Sequence, residues 1–429
     1  MFKKVFFVAM TVLFLFGCAT TPLSADGQPS ADSAITDTSS YNEGQVAVKT
    51  DNELSYADRI GEDSTKFHPV ILEFIKTIDE DPVVRMYLTQ MIEQIPQDQR
   101  NLKNVEDLLY KLNELLKIAP EYNQTRFAGT PLSEILVWTM STPAGFIAYR
   151  NEKINAMIKK YLIAWSEFLS SEKSLYVIND SPNGWKSKEA QEKINMGDYQ
   201  HDPEGKYWGF KSWNDFFARK LVEGARPIAE PDDNKVIVSA CDSTTYEISR
   251  NVQKYSEFWI KSQPYSLNDM LANDELVDEF IDGDVYQAFL NPFNYHRWHS
   301  PVSGTIKKAY VKEGLYFSQA DSEGVDPSAQ EKSQGYLVHI QARALFFIEA
   351  DDPTIGLMCF VPVGMVEVSS CIINDNIKPG YHVEKGEELG YFQFGGSTNC
   401  LIFRPGAIKE FIAEIGKFFK VGEHIATAN

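Results

Sequence analysis

The chain divides by the period of its apolar positions. Between residues 68 and 170 they recur every three to four residues. Ile71, Phe74, Ile75 and Ile78 fall at i, i+3, i+4 and i+7, and Val84, Tyr87, Leu88 and Met91 repeat that spacing after Pro82. Val105, Leu108, Leu109, Leu112, Leu115 and Leu116 form a third stripe, stopped by Pro120. Ile154, Met157, Ile158, Tyr161, Leu162, Trp165, Phe168 and Leu169 form the longest. Such stripes are the buried faces of helices packed on one another. They predict a helical domain over residues 61–190, not a cofactor or membrane surface.

From about residue 235 the period shortens. Runs rich in Val, Ile, Tyr and Phe are separated by Gly, Pro, Asn and Asp. Lys235–Ser239, Tyr336–Ala342, Met358–Val363, Val366–Ile373 and Cys400–Phe403 are the expected strands. Pro301–Ile306 and Val383–Gly390 read as strand-turn-strand and resemble the barrel-sandwich folds of lipoyl domains. The fold class expected is therefore α+β, with the helical domain followed by a β-rich domain over residues 191–429. No internal repeat is visible.

A chain of 429 residues is too long for one comfortable core, which agrees with that division. The formal net charge is −19. So acidic a protein is a poor nucleic-acid binder and is repelled by anionic lipid headgroups unless something else holds it at a membrane. The N-terminus supplies a candidate. Met1-Phe2-Lys3-Lys4 is a basic start, residues 5–16 are apolar but for Thr11, and Leu15-Phe16-Gly17-Cys18 closes the run. The run is too short to span a bilayer and reads as a secretory leader. Its end resembles the bacterial lipobox, which would leave Cys18 as an acylated N-terminus on an exported, lipid-anchored protein. Ala19 is not the Asp that favours inner-membrane retention, so the periplasmic face of the outer membrane is the expected location. Residues 19–60, rich in Ser, Thr, Asp, Gly and Ala, read as a disordered tether. Beyond Cys18 the cysteines are Cys241, Cys359, Cys371 and Cys400. They lack Cys-x-x-Cys spacing, so no zinc site is expected, and buried free thiols are favoured over a disulfide.

The candidate chemistry lies near the C-terminus, in Gly395-Gly396-Ser397-Thr398. Two glycines leave no bulk upstream of the serine. The Ser397 Oγ can therefore approach the Gly396 carbonyl in a strained turn, with Gly395 letting backbone donors reach the oxyanion. A reactive serine needs a base, and the base an orienter. Two of the seven histidines stand together in Tyr295-His296-Arg297-Trp298-His299-Ser300-Pro301. As metal ligands they are disfavoured, because an i,i+3 pair on a strand points to opposite faces and spacing suggests no third ligand.

That heptad is similar to the Tyr-His-Arg-x-His-x-Pro segment of the phosphatidylserine decarboxylase family, and Gly395–Thr398 to that family's self-cleavage site. Trp213-Asn214-Asp215-Phe216-Phe217-Ala218-Arg219 and Gly224-Ala225-Arg226-Pro227-Ile228 also match, with the arginines read as structural. The resemblance covers roughly residues 200–410. Thr142-Pro143-Ala144-Gly145-Phe146 and Asn183-Gly184-Trp185 resemble the N-terminal extension of a subgroup that includes tryptophan decarboxylases. The resemblance implies that Asp242 accepts the Nδ1–H of His299, that His299 takes the Ser397 proton, and that His296 assists decarboxylation. Where many family members carry Gly after the aspartate, this chain has Ser243. Cleavage between Gly396 and Ser397 would leave two chains and a pyruvoyl group made from Ser397. That group would stand in place of pyridoxal phosphate and form a Schiff base with the substrate amine, with no metal. Phosphatidylserine and a free aromatic amino acid such as tryptophan are the competing substrates. A homodimer follows by analogy. Two other classes share these residues: a non-catalytic lipoprotein binding module that kept the fold, and a serine hydrolase, which would lack the Gly-x-Ser-x-Gly elbow.

Overall fold

Most helices of the N-terminal half begin where the sequence offers a cap. The Asp81 carboxylate accepts from Val83 N at 2.9 Å and Val84 N at 3.2 Å, Pro82 takes the first helical position, and α3 follows. The Asn151 amide oxygen starts α7 in the same way, from Lys153 N and Ile154 N. The helices are α1 (Tyr56–Ile60), α2 (Pro69–Glu80), α3 (Pro82–Glu93), α4 (Val105–Leu115), α5 (Pro131–Met140), α6 (Pro143–Ala148), α7 (Glu152–Leu169), α8 (Lys188–Ile194) and α9 (Trp213–Phe217). The stripe residues are buried as expected, except that Tyr87 and Phe168 are half-buried. The computed structural model describes residues 55–122, 130–256, 265–320, 332–367, 370–393 and 397–429. The leader with Cys18, the tether up to residue 54, and Gly395 and Gly396 lie outside them. Among the described residues no helix is long and apolar enough to cross a membrane.

The β-rich half contributes β1 (Val236–Val238), β2 (Ser243–Val252), β3 (Gly283–Leu290), β4 (Arg297–His299), β5 (Gly304–Lys312), β6 (Arg343–Ala350), β7 (Leu357–Gly364), β8 (Cys371–Ile373), β9 (His382–Val383), β10 (Glu388–Phe392), β11 (Ser397–Phe403), β12 (Ile408–Phe411), β13 (Phe418–Phe419) and β14 (His424–Ala428). The described strands form an eight-stranded antiparallel sheet, β13-β2-β3-β11-β7-β6-β5-β9, and two three-stranded ones, β1-β14-β12 and β4-β10-β8. The fold is α+β.

The central strands β7 and β11 are buried along their whole length. Their side chains alternate between two cores. Met358, Phe360, Leu401 and Phe403 pack into the core shared with the helices. Cys359, Val361, Val363, Cys400 and Ile402 pack into a second core with Tyr265, Leu267, Met270 and Phe280. Strands covered on both faces read as continuous apolar runs, which is how β7 reads. The same alternation puts Ser397 on the face of Leu401 and Phe403, toward the core shared with the helices. Trp165, Trp185 and Trp213 are fully buried. Trp185 anchors the Asn183-Gly184-Trp185 motif, 5.0 Å from Trp213, 5.4 Å from Phe216 and 5.9 Å from Phe293 of the β-rich half. Cys241, Cys359, Cys371 and Cys400 are buried free thiols.

Three expectations need correction. Tyr336–Ala342 is not a strand, because Gln334–Ile340 forms a helix in which Leu337 N bonds Ser333 O at 2.9 Å and Gln341 N bonds Leu337 O at 2.9 Å. Local i,i+4 bonding and burial override the β-branched texture. Among the described residues of Val366–Ile373 only Cys371–Ile373 is strand, because Val366 takes a left-handed conformation that ends the extended run. The tether does not reach residue 60. Ser55 and Asp58 form a capping box, and Asp79 accepts Tyr56 N at 2.7 Å, which fixes α1.

Candidate active site

Ser397 opens β11 at the middle of the large sheet, paired with Leu290 of β3 and Gly364 of β7. It is fully buried, and its Oγ makes no hydrogen bond among the described residues. The next residues are tied down. Thr398 Oγ1 donates to Ala288 O at 3.0 Å and accepts from Gln287 Nε2 at 2.9 Å, and Asn399 Nδ2 donates to Ala288 O at 3.1 Å. A buried hydroxyl without a partner costs about 1–3 kcal/mol. The strand therefore holds one unspent nucleophile in a row of satisfied polar groups. A neighbouring segment leads up to it: Phe392 N donates to His296 O at 2.9 Å, and Gln393 N to Ser370 O at 3.2 Å.

His296 is fully buried just before β4, its ring stacked on Phe217 with centroids 4.2 Å apart. His299 closes β4. Its Nδ1–H donates to Gly386 O at 2.7 Å, and its Nε2 accepts from Tyr295 OH at 2.9 Å, the pattern of a neutral imidazole. Burial pushes the His299 pKa below its ordinary 6.5, against the pull of the Glu388 and Asp242 charges. Gly386 can present that carbonyl because it sits at φ +85° in the turn between β9 and β10. A Cβ there would lie 2.3 Å from Ile228 Cδ1.

Asp242 is buried, but it does not orient His299 as expected. Its carboxylate is taken by Arg226, with Nε 3.0 Å from Oδ1 and Nη2 2.6 Å from Oδ2, and by Val421 N at 2.8 Å. Arg226 also binds Asp198 at 2.7 Å. With its lone pairs committed there, Asp242 acts on His299 only through its charge. Arg219 and Arg226 are structural, as expected. Arg219 Nη2 donates to Phe293 O at 2.8 Å and Asn294 O at 3.2 Å, holding the loop that precedes the histidines. Among the described residues no group of three or more His, Cys, Asp and Glu side chains is arranged to hold a metal ion.

Sequence reasoning missed several groups near this end of the sheet. Glu367 lies buried three residues beyond Gly364, and burial pushes its pKa up to about 7. Ser318, Gln319 and Gln341 are buried with side-chain polar atoms that make no hydrogen bond among the described residues. Gln341 adjoins the start of β6, where Gly364 N donates to Ala342 O at 2.9 Å. An isolated acid within Val366-Glu367-Val368 was the one visible signal.

Comparison with known proteins bears on this geometry. The profile described as phosphatidylserine decarboxylase matches residues 213–427, and a second of that description matches residues 68–194. The chain is 38% identical over 320 residues to the decarboxylase iboD of Amanita muscaria, covering 70% of this chain and 91% of that protein. It is 33% identical over 410 residues to the L-tryptophan decarboxylase of Psilocybe cubensis, covering 89% and 90%. It is 34% identical over 199 residues to the phosphatidylserine decarboxylase proenzyme of Chlamydia muridarum, covering 46% and 62%.

Proposed function

The chain belongs to the phosphatidylserine decarboxylase family, and on that premise we propose that it is a self-processing, pyruvoyl-dependent decarboxylase of a free aromatic L-amino acid. The observation that carries the reading is the buried, unbonded Oγ of Ser397 at the head of β11. In self-processing the Oγ attacks the Gly396 carbonyl carbon. The Gly396–Ser397 amide breaks as an ester forms, and the Ser397 nitrogen gains the proton. Loss of the Ser397 Cα proton with rupture of Cβ–Oγ then frees the upstream chain as a carboxylate and leaves dehydroalanine. Its imine form takes up water, releases ammonia, and becomes a pyruvoyl group heading the segment 397–429. His299, neutral because of its burial, is the base for the first step. Its Nε2 must exchange the Tyr295 hydroxyl for the serine to act. The pyruvoyl carbonyl supplies the electron sink for loss of CO₂. His296, packed between Phe217 and Phe392, is the candidate proton donor to the product carbon in an apolar surround.

Coverage supports the substrate. The tryptophan decarboxylases align with most of the chain, extension included, whereas the phosphatidylserine decarboxylases align with about half of it. Phosphatidylserine is the second reading, supported by those same proenzymes and by the leader that would anchor Cys18 in an outer membrane. Two chains from wild type and one from Ser397→Ala on denaturing electrophoresis support self-processing. A single wild-type band from folded protein overturns it and leaves the binding-module reading. With cleaved protein, tryptamine-like amines on chromatography support the first substrate, and phosphatidylethanolamine on thin-layer analysis supports the second.

A further inference from the structure

The helical extension and the serine strand meet at a buried carboxyl group. α5 begins at Pro131, yet Thr130, at its N-cap position, makes no side-chain cap. Glu367 caps it instead, from the turn that follows β7. Oε1 accepts from Ser133 N at 2.6 Å and Oε2 from Ser133 Oγ at 2.8 Å. The titratable neighbour facing it is Tyr161 of α7, whose hydroxyl donates to Leu112 O at 2.9 Å. Among the described residues Glu367 has no ion-pair partner.

Between this cap and the serine's strand partner lies Val366, a β-branched residue at φ +50°. Such a conformation is costly and persists only where both flanks are held. One flank is Gly364, fixed by its pairing to Ser397 and its bond to Ala342 O. The other is Glu367. The extension touches the approach to Ser397 a second time, because Ser166 Oγ of α7 lies 3.4 Å from Gln393 Oε1, four residues before the serine.

We infer that Glu367 is a positioning residue for self-cleavage: by capping α5 it holds the strained turn at Val366, and so fixes the strand edge on which Ser397 is presented. The inference rests on the self-processing reading of Ser397. It makes the extension a working part of the cleavage site.

The test follows the full-length chain from synthesis and reads the rate of conversion into two chains. Glu367→Gln keeps an oxygen for Ser133 N and an NH₂ for Ser133 Oγ, and should convert within about twofold of wild type. Glu367→Ala should slow conversion at least tenfold. Glycine takes φ > 0 without strain, so Val366→Gly in the Glu367→Ala background should recover most of the rate. A merely structural loss would not be rescued in this way. Should Glu367→Ala not fold, Glu367→Asp, which keeps the acid but loses the reach, takes its place with the same expectation. Wild type that cleaves while the folded Ala or Asp variant cleaves equally fast overturns the inference and leaves self-processing intact. A double variant as slow as Glu367→Ala overturns the role of the turn. Wild type that never cleaves defeats the self-processing reading itself.

Discussion

His299 donates its Nδ1–H to the carbonyl oxygen of Gly386 at 2.7 Å, so a backbone group, not a carboxylate, sets the tautomer of the candidate base. A carbonyl placed by a left-handed glycine is vulnerable to one methyl group. Gly386→Ala should cost at least about 1–2 kcal/mol, since alanine resists φ > 0 and its Cβ would press on Ile228. It should also slow self-cleavage about tenfold by turning the imidazole. Urea denaturation in the Ser397→Ala background and the two-chain assay in the Ser397 background read the two effects separately. Unchanged cleavage in a folded variant would leave the carbonyl without an orienting role.

Asp242 and Arg226 form a buried pair, with both side chains 5% exposed. Removing one partner strands the other charge in the interior, at a cost of about 3–5 kcal/mol. Asp242→Ala should therefore lose cleavage together with stability, and Arg226→Met/Asp242→Leu should regain much of the stability. An aspartate acting as a triad member would instead lose cleavage at near wild-type stability. Denaturation midpoints measured in the uncut Ser397→Ala background, beside cleavage in the Ser397 background, distinguish these cases.

How much of this could be read from the chain depends on which atoms do the work. The stripes through Ile71, Leu108 and Trp165 were legible because a helix with one buried face has a period. α5 was not, since Leu132, Ile135, Leu136, Val137, Trp138 and Met140 surround it and leave little contrast between faces. Tyr336–Ala342 misled because its residues suit a strand while its backbone closes a helix. At the site, Ser397, His296 and His299 stood out by motif. The partner of His299 did not, because a carbonyl oxygen is carried by every residue and marks none. Nor did the role of Glu367, which depends on α5 arriving from far upstream with an end that its own N-cap side chain does not close.

The two buried titrating groups should oppose one another in stability. The His299 pKa is lowered, so the folded state resists protonation. Its contribution is complete above 6.5 and is lost as pH falls below that value. The Glu367 pKa is raised from 4.5 to about 7. Its contribution is complete below 4.5 and is lost as pH rises through about 7, on the order of 3 kcal/mol in all. Denaturation midpoints of Ser397→Ala, which should stay one chain, should fall between pH 5 and pH 8 from the glutamate. Adding Glu367→Gln should remove that fall. An unchanged slope would mean that Glu367 is ionised in the fold across this range.

The unbonded Ser397 hydroxyl should register in stability as well as in chemistry. In wild type the two would be entangled, because on the proposed reading the protein measured would already have cleaved. The His299→Ala background should separate them by stopping the proposed self-processing, so that Ser397→Ala can be compared between two uncut chains. Removing a buried hydroxyl that has no partner takes away a desolvation penalty and leaves a cavity no larger than one oxygen. The added Ser397→Ala change should therefore raise stability by about 1 kcal/mol. Thr398→Val on the same strand should act in the opposite direction, since its hydroxyl is bonded to both Ala288 O and Gln287 Nε2. Equal destabilisation by both substitutions would mean that the Ser397 hydroxyl has a partner after all. The strand would then store no strain for the cleavage reaction to release.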